Sequence, residues 1–198
     1  MGLNLIYNDE QTPLDEDEKE GLLIKSISTR GELDEFEQQN IEDAIQWSLT
    51  RKFKPVQILN ETFIQELHKR MYGRVWKWTG QYRKTNKNIG VDKLEIPIYL
   101  RSLLDDAKYW IEHNEYEPDE FAIRLKHRLV SIHCFPNGNG RHSRMIADVV
   151  VEKIYNQPVF SWGAASLSDA NDVREKYLVA IRKADKGDFD LLLKFARS

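Results

Sequence analysis

Hydrophobic positions along this chain recur mostly at helical spacing. From residue 32 the run ELDEFEQQNIEDAIQWSL sets Leu33, Phe36, Ile41, Ala44, Ile45 and Leu49 along one stripe and predicts an amphipathic helix. Thr29, followed three residues later by Glu32, fits a capping box at its start. Upstream, Thr12-Pro13 reads as an N-cap with proline in the first turn, and predicts a helix over LDEDEKEGLLIKSI that breaks at STRG. Pro55 marks a linker. Asn60 is placed to cap ETFIQELHKRMY, whose Phe63, Ile64, Leu67 and Met71 share a face. Helix is predicted again in IYLRSLLDDAKYWIEH and in DEFAIRLKHRLVSIH after Pro118, where Phe121, Leu125, Leu129 and Ile132 face the core. RHSRMIADVVVEKIY, SDANDVREKYLVAIRKA and FDLLLKFA complete the series.

One segment departs from the period. GRVWKWTGQYRKTNKNIGVDKLEIP, residues 73–97, combines aromatic residues, glycines and short alternation. KNIGV and KLEIP predict two short strands around Gly90-Val91-Asp92. Trp76, Trp78 and Tyr82 are read as core. The pattern as a whole predicts an all-α domain with one small β-hairpin, no internal repeat and no long linker.

Composition narrows the class. The 198 residues carry 29 Lys and Arg against 32 Asp and Glu, a formal net charge of -3, so no general basic surface invites nucleic acid. Cys134 is the single cysteine, which excludes an intrachain disulfide and points to a reducing compartment. The start, MGLNLIYNDEQTPLDEDEKEG, is acidic and lacks a basic region followed by an apolar run, unlike a signal peptide. No apolar run approaches the roughly 20 residues of a membrane span. These features predict a cytoplasmic protein with neither membrane nor nucleic acid as partner.

The candidate chemistry lies in residues 133–144, HCFPNGNGRHSR. A helix ends near His133, the loop PNGNG follows, and a new helix opens with RHSR. A helix N-terminus presents unsatisfied N–H groups and the positive end of the dipole. Gly138 and Gly140 let the backbone approach a phosphate. Asn139 adds an amide. Arg141 and Arg144 stand in the first turn, where the dipole disfavours cations unless an anion is bound; each guanidinium can fork onto phosphate oxygens. The assembly reads as a polyphosphate cradle, with His133 as general base for a hydroxyl attacking the bound phosphate. Cys134 beside that histidine is not read as a nucleophile, because neighbouring side chains at a helix end point apart. His68, His113, His127 and His142 show no pattern of convergent metal ligands.

HCFPNGNGRHSR resembles the signature HxFx[D/E]GNGRxxR of the Fic family. WKWTGQYRKTN is similar to the WAGxxR segment of that family, KNIGVDKLEIP to its flap, and EKYLVAIRKADKGD to its C-terminal helix. The resemblance covers roughly residues 36–196, and TRGELDEFEQQNI places the chain nearest the small bacterial proteins called mobile mystery protein B. It implies a Fic-type helical bundle over 36–198, preceded by an N-terminal helical extension over 1–35, and transfer of AMP from ATP to a Ser, Thr or Tyr hydroxyl of a protein. By this resemblance His133 deprotonates the target hydroxyl and Phe135 anchors the loop. Gly138, Asn139 and Gly140 form the anion hole, Arg141 holds the β- and γ-phosphates, and Arg144 holds the γ-phosphate. Asn137 stands where the family has the acid that helps hold Mg²⁺, and offers a neutral carbonyl oxygen instead. Gly140 argues against the Doc-like branch, which has lysine there.

A hairpin beside the cradle suits addition of a target strand, so Asn88, Ile89, Gly90 and Val91 are the expected docking flap for a protein substrate, or for self-modification. Ser28-Thr-Arg-Gly-Glu32 matches the first five positions of the family's inhibitory pattern [S/T]xxxE[G/N]; Leu33 departs from it. On that match Glu32 pairs with Arg144 and ATP must displace it. The competing reading is the capping box. Two other functional readings stay open: another nucleotidyl or phosphoryl transfer, or de-AMPylation, on the same site; and a nucleotide- or partner-binding domain with a weakened metal site.

Overall fold

Most helices begin where the chain supplies a cap or a proline. The computed structural model describes residues 13–164 and 170–198, and among these the regular elements are helices α1 (Glu16–Glu20), α2 (Arg30–Leu49), α3 (Pro55–Ile58), α4 (Glu61–Tyr72), α5 (Ile96–His113), α6 (Pro118–Ile132), α7 (Asn139–Lys153), α8 (Ala170–Ala184) and α9 (Asp190–Arg197). Thr29 Oγ1 accepts the Glu32 N–H at 3.3 Å, and the Glu32 carboxylate accepts the Thr29 N–H at 3.0 Å, closing the expected box on α2. Asn60 Oδ1 accepts the Phe63 N–H and starts α4. Proline sits in the first turn of α3, α5 and α6. Asn114 and His133, both left-handed, end α5 and α6.

Three expectations are corrected. The first helix is one short turn rather than a run to Ile27. It stops at Gly21, where a Cβ would lie 2.7 Å from the Trp78 ring, and Leu22 then pairs with Trp76 in an isolated antiparallel bridge. Thr12, the expected cap, lies outside the described residues; Asp15 takes that place, its N–H bound by Glu18. On α2 the buried face is Leu33, Glu37, Asn40, Ile41, Ala44 and Ser48, while Phe36, Ile45 and Leu49 stay exposed. The inward face therefore accepts three polar residues that the apolar stripe leaves out.

The third correction concerns the flap. No strand occurs among the described residues, and Asn88, Ile89, Gly90 and Val91 lie in a loop rather than a β-hairpin. Side chains hold that loop where a ladder was expected. Arg83 donates to the carbonyls of Thr85 and Val91, Asn86 Oδ1 accepts the Lys93 N–H, and Asn86 Nδ2 donates to Asp92. With those groups so engaged, KNIGV and KLEIP have little left to exchange across a turn.

α6 and α7 form the central pair, joined by the HCFPNGNG loop; α5 packs on α6, α2 on α4, and α8 on α9. Phe121, Ile123, Leu125, Phe135, Ile146 and Val150 are fully buried. Leu14, Leu22, Ile27 and Leu33 belong to the same core as the rest of the chain. No helix among the described residues is long and apolar enough to cross a membrane.

Candidate active site

The site is built on the turn between α6 and α7. His133 ends α6 in the left-handed region, φ 57°, and is 4 % exposed. Arg83, from the segment before the flap, fixes its backbone: Nε donates to the His133 carbonyl at 2.7 Å, and the Arg83 N–H donates to the Cys134 carbonyl at 3.0 Å. Asn139 closes the loop, its Oδ1 accepting the Phe135 N–H at 2.9 Å and its Nδ2 donating to the Phe135 carbonyl at 2.8 Å. Phe135 is buried and stacks on His68, ring centroids 3.8 Å apart. His68 Nδ1 accepts the Gly80 N–H, so Nε2 carries the proton and donates to the Asn137 carbonyl at 3.0 Å. The loop is thus held from both sides by side chains that close most of its backbone bonding.

The two motif glycines have different reasons to be glycine. Gly138 has φ 78°, and a Cβ there would sit 2.6 Å from the Tyr72 ring. Gly140 meets nothing within 4 Å, leaving open space at the start of α7. That space is part of a cleft of about 520 Å³, lined by His133, residues 137–141 and Arg144, by Arg174 and Tyr177 of α8, and by Arg30 and Ile89. Four arginines and no carboxylate are among its lining residues. Arg141 is paired with Glu37 and Arg30 with Asp34, outside the lining, and the positive end of α7 adds to the charge that would attract a polyanion.

His133 is held well below the ordinary histidine range, at about 4, by burial first and by the Arg83 charge second; a hydrogen bond to the Val130 backbone acts in the opposite direction. It is therefore neutral, and able to accept a proton, at neutral pH. Burial pushes the Cys134 thiol up to about 12, so it is inert as a nucleophile under ordinary conditions.

The structure gathers His133, Asn137, Gly138, Asn139, Gly140, Arg141 and Arg144 at one cleft. It also lays the flap loop against the base: a Cβ on Gly90 would be 2.6 Å from that of His133, and Ile89 lines the cleft. Val91 N–H donates to the Ile132 carbonyl, and Asn88 is exposed. Two placements differ from the sequence reading. The Asn139 amide is spent on Phe135, so this residue shapes the hole and does not project its side chain into it. Glu32 does not reach Arg144. Its Oε2 accepts from the Ser28 and Thr29 N–H groups and from Ser28 Oγ, which is the capping arrangement. Asn137 Oδ1 accepts the Gly138 N–H at 2.7 Å, and no group of three or more His, Cys, Asp or Glu placed to hold a metal occurs among the described residues.

Sequence reasoning missed Glu37. Its carboxylate, 4 % exposed, accepts from Trp76 Nε1 at 2.7 Å and pairs with Arg141 Nη2 at 2.6 Å. The available signal was a carboxylate four residues from Leu33 and four from Ile41, inside the buried face of α2.

The site is defined by a helical bundle whose central αα-turn presents a helix N-terminus and two arginines beside a neutral histidine. Residues 58–151, which hold the whole loop, α6 and nearly all of α7, match the model of the Fic/DOC family. Among curated proteins, it is 27% identical over 136 residues to "Protein adenylyltransferase Fic" of Drosophila grimshawi, and 26% identical over 136 residues to the protein of that name from Aedes aegypti. Each match covers 67% of this chain and 26% of the relative, so the chain spans about a quarter of those proteins' length. Among solved structures, BepC of Bartonella tribocorum, determined with bound AMPPNP, superposes with a TM-score of 0.69 at 14% identity, covering 92% of this chain and 97% of that one. Fic-1 of C. elegans gives 0.61 at 19% identity, covering 80% and 46%. These likenesses establish the fold.

Proposed function

We propose that this protein is an adenylyltransferase that moves AMP from ATP to a Ser, Thr or Tyr hydroxyl of another protein, or of itself, in the cytoplasm. One observation carries the reading: a neutral, buried His133 faces the same cleft as an α7 N-terminus with open space at Gly140 and the Arg141 and Arg144 guanidiniums. In this reading the arginines and the first N–H groups of α7 hold the polyphosphate and take up the charge that develops on it. His133 takes the proton of the incoming hydroxyl, and the hydroxyl oxygen attacks the α-phosphate as the bond to the leaving pyrophosphate breaks. The loop at Asn88, Ile89, Gly90 and Val91 presents the target segment, with Gly90 letting the loop backbone close onto His133. Residues 36–198 act as the catalytic unit and 1–35 as a regulatory extension. Nearness to the mobile mystery protein B subgroup is proposed on sequence resemblance alone.

Mg²⁺ is the usual companion of a nucleotide polyphosphate, but the chain's own donors fit it poorly: Asn137 is neutral, and its amide oxygen already accepts from Gly138. No step above is routed through the metal. That same observation favours the second reading, a nucleotide- or partner-binding domain without transfer. Self-inhibition belongs to the proposal through α2, whose start is capped by Ser28, Thr29 and Glu32 and whose Glu37 holds Arg141.

The test is incubation of the Glu32→Gly protein with Mg²⁺ and ATP labelled at the α-phosphate, beside the same protein carrying His133→Ala. We expect protein-bound label that His133→Ala lowers by about 10²–10⁴. Label from the γ-phosphate alone would mean phosphorylation. ATP binding by calorimetry without transfer of either label to the chain or to lysate proteins would favour the binding-only reading.

A further inference from the structure

Lys126 is a buried charged group near this site that the proposed reaction does not use. It lies on α6 two turns before His133 and is fully buried. Its Nζ donates to Tyr177 Oη at 2.6 Å and stands 4.8 Å from the centre of that ring. No carboxylate pairs with it among the described residues; Asp185, the acid that acts on it from the turn after α8, gives its oxygen to His127 at 2.8 Å. A buried ammonium with one neutral partner is costly, and a leucine or methionine would serve packing better. Tyr177 is also a wall of the cleft, and Arg144 lies 5.8 Å from its ring centre on the cleft side. The unmatched cation therefore sits directly behind the wall of a cleft lined by four arginines and no acid.

Resting on the reading of this cleft as a polyphosphate site, we infer that Lys126 is a second tier of that site: the bound polyphosphate is its missing counter-ion, and ligand binding is coupled to uptake of a proton at its Nζ. Burial, with the Arg144 charge adding to it, lowers Lys126 from 10.5 to about 7, so the empty protein holds it only partly protonated at neutral pH. The groups that act with it are Arg144 of α7, Tyr177 of α8, Asp185, and His127 beside it on α6, whose own proton the Lys126 charge disfavours; no charge from α5 or α9 acts on it among the described residues. A polyanion against Arg144 cancels the repulsion and favours the ammonium. The ammonium in turn fixes Tyr177, whose oxygen accepts from it and whose proton is left to point elsewhere. The sign follows. Above about pH 7 the empty site has lost the proton that the filled site keeps, so affinity falls as pH rises, by at most about tenfold per pH unit for one proton. Lys126 is thus a positioning residue that acts through Tyr177 and through its charge.

Isothermal titration calorimetry tests this at pH 8, where ATP phosphates no longer titrate, in two buffers of different ionisation enthalpy. Metal-free ATP and inorganic tripolyphosphate are the probes, on the wild-type chain and on Lys126→Met. We expect the wild type to take up about 0.5–1 proton per ligand more than Lys126→Met does, a difference from which any proton released by the ligand cancels, and Lys126→Met to show a shifted, less unfavourable pH dependence of affinity. Equal uptake by the two proteins overturns the inference and leaves the nucleotide reading standing. Lys126-dependent uptake with tripolyphosphate but no binding of ATP supports the inference and removes the nucleotide. Absence of binding by either probe overturns both. Should Lys126→Met not fold, lysine ¹³Cε NMR on the wild type decides: one lysine titrating near pH 7 must move upward when tripolyphosphate is added, and an unmoved titration overturns the inference.

Discussion

At the scale of single residues, the site depends on groups that burial keeps neutral. His133 and His142 both stand at about 4, each lowered chiefly by burial, and His68 is lowered well below the usual range for the same reason. For the reaction, the base stays unprotonated down to about pH 5. Its contribution to the transfer rate should therefore hold between pH 8 and 5 and fall only toward pH 4, as single-turnover rates will show. For stability the unfolded chain binds protons at His133 and His142 near pH 6.5 and the folded chain does not until about 4, and His68 adds to the difference in the same direction. Stability is full above 6.5 and is lost as pH falls through that window. A thermal melt should accordingly lose several degrees between pH 7 and 4.5, and His142→Gln, which keeps a donor toward the Ile64 carbonyl that His142 Nε2 reaches, should reduce that loss. Much of the site was legible here: His133, Gly138, Gly140, Arg141 and Arg144 meet as their types and spacing imply. What the residue pattern left open was the use of each side chain. Asn139 and Asn137 carry amides that look available to a ligand, and the fold spends the first on Phe135 and engages the oxygen of the second with Gly138.

At the scale of elements, α2 ties the start of the described chain to the motif. Its capping box and its contact with Arg141 are five residues apart on one helix, so the two carboxylates do different work. Glu32→Gly should remove the carboxylate half of the capping box and loosen the first turn. Glu37→Gln keeps an acceptor for Trp76 but removes the charge that competes with phosphate for Arg141. We expect Glu37→Gln to tighten ATP binding several-fold by calorimetry, at a stability cost of about 1–2 kcal/mol. Glu32→Gly alone should raise transfer only as far as loosening α2 frees Arg141. If Glu37→Gln weakens binding instead, the pair is a support for Arg141 and not a competitor. Helix existence was readable along most of the chain because period and caps agree. The face of α2 was not, since Glu37 and Asn40 are buried by specific partners: Trp76 and Arg141 for the first, the Arg74 N–H and Phe36 carbonyl for the second.

At the scale of the whole molecule, the segment before α2 is clamped to the flap loop. Lys87, whose side chain is 3 % exposed, pairs with Asp15 at 2.9 Å and Glu18 at 2.6 Å, and Thr85 bonds Asp15 as well. Trp78 Nε1 donates to the Glu18 carbonyl. The proposed regulatory extension therefore reaches the proposed target-docking loop directly. Lys87→Met should cost about 2 kcal/mol and speed limited proteolysis both near Asp15 and within residues 84–94. Cleavage faster at only one of the two would show that they are not coupled.

The sequence by itself determined the helical class, most caps, and the glycine-rich turn with its histidine, because those depend on contacts within a few residues. Tertiary structure alone decided the rest. The flap is a loop because Arg83 and Asn86 hold its backbone, and Glu37 meets Arg141 although 104 residues separate them. Lys126 lies behind Tyr177 across a separation of 51. Such pairings carry no local period or spacing, and they exist only once distant helices have packed.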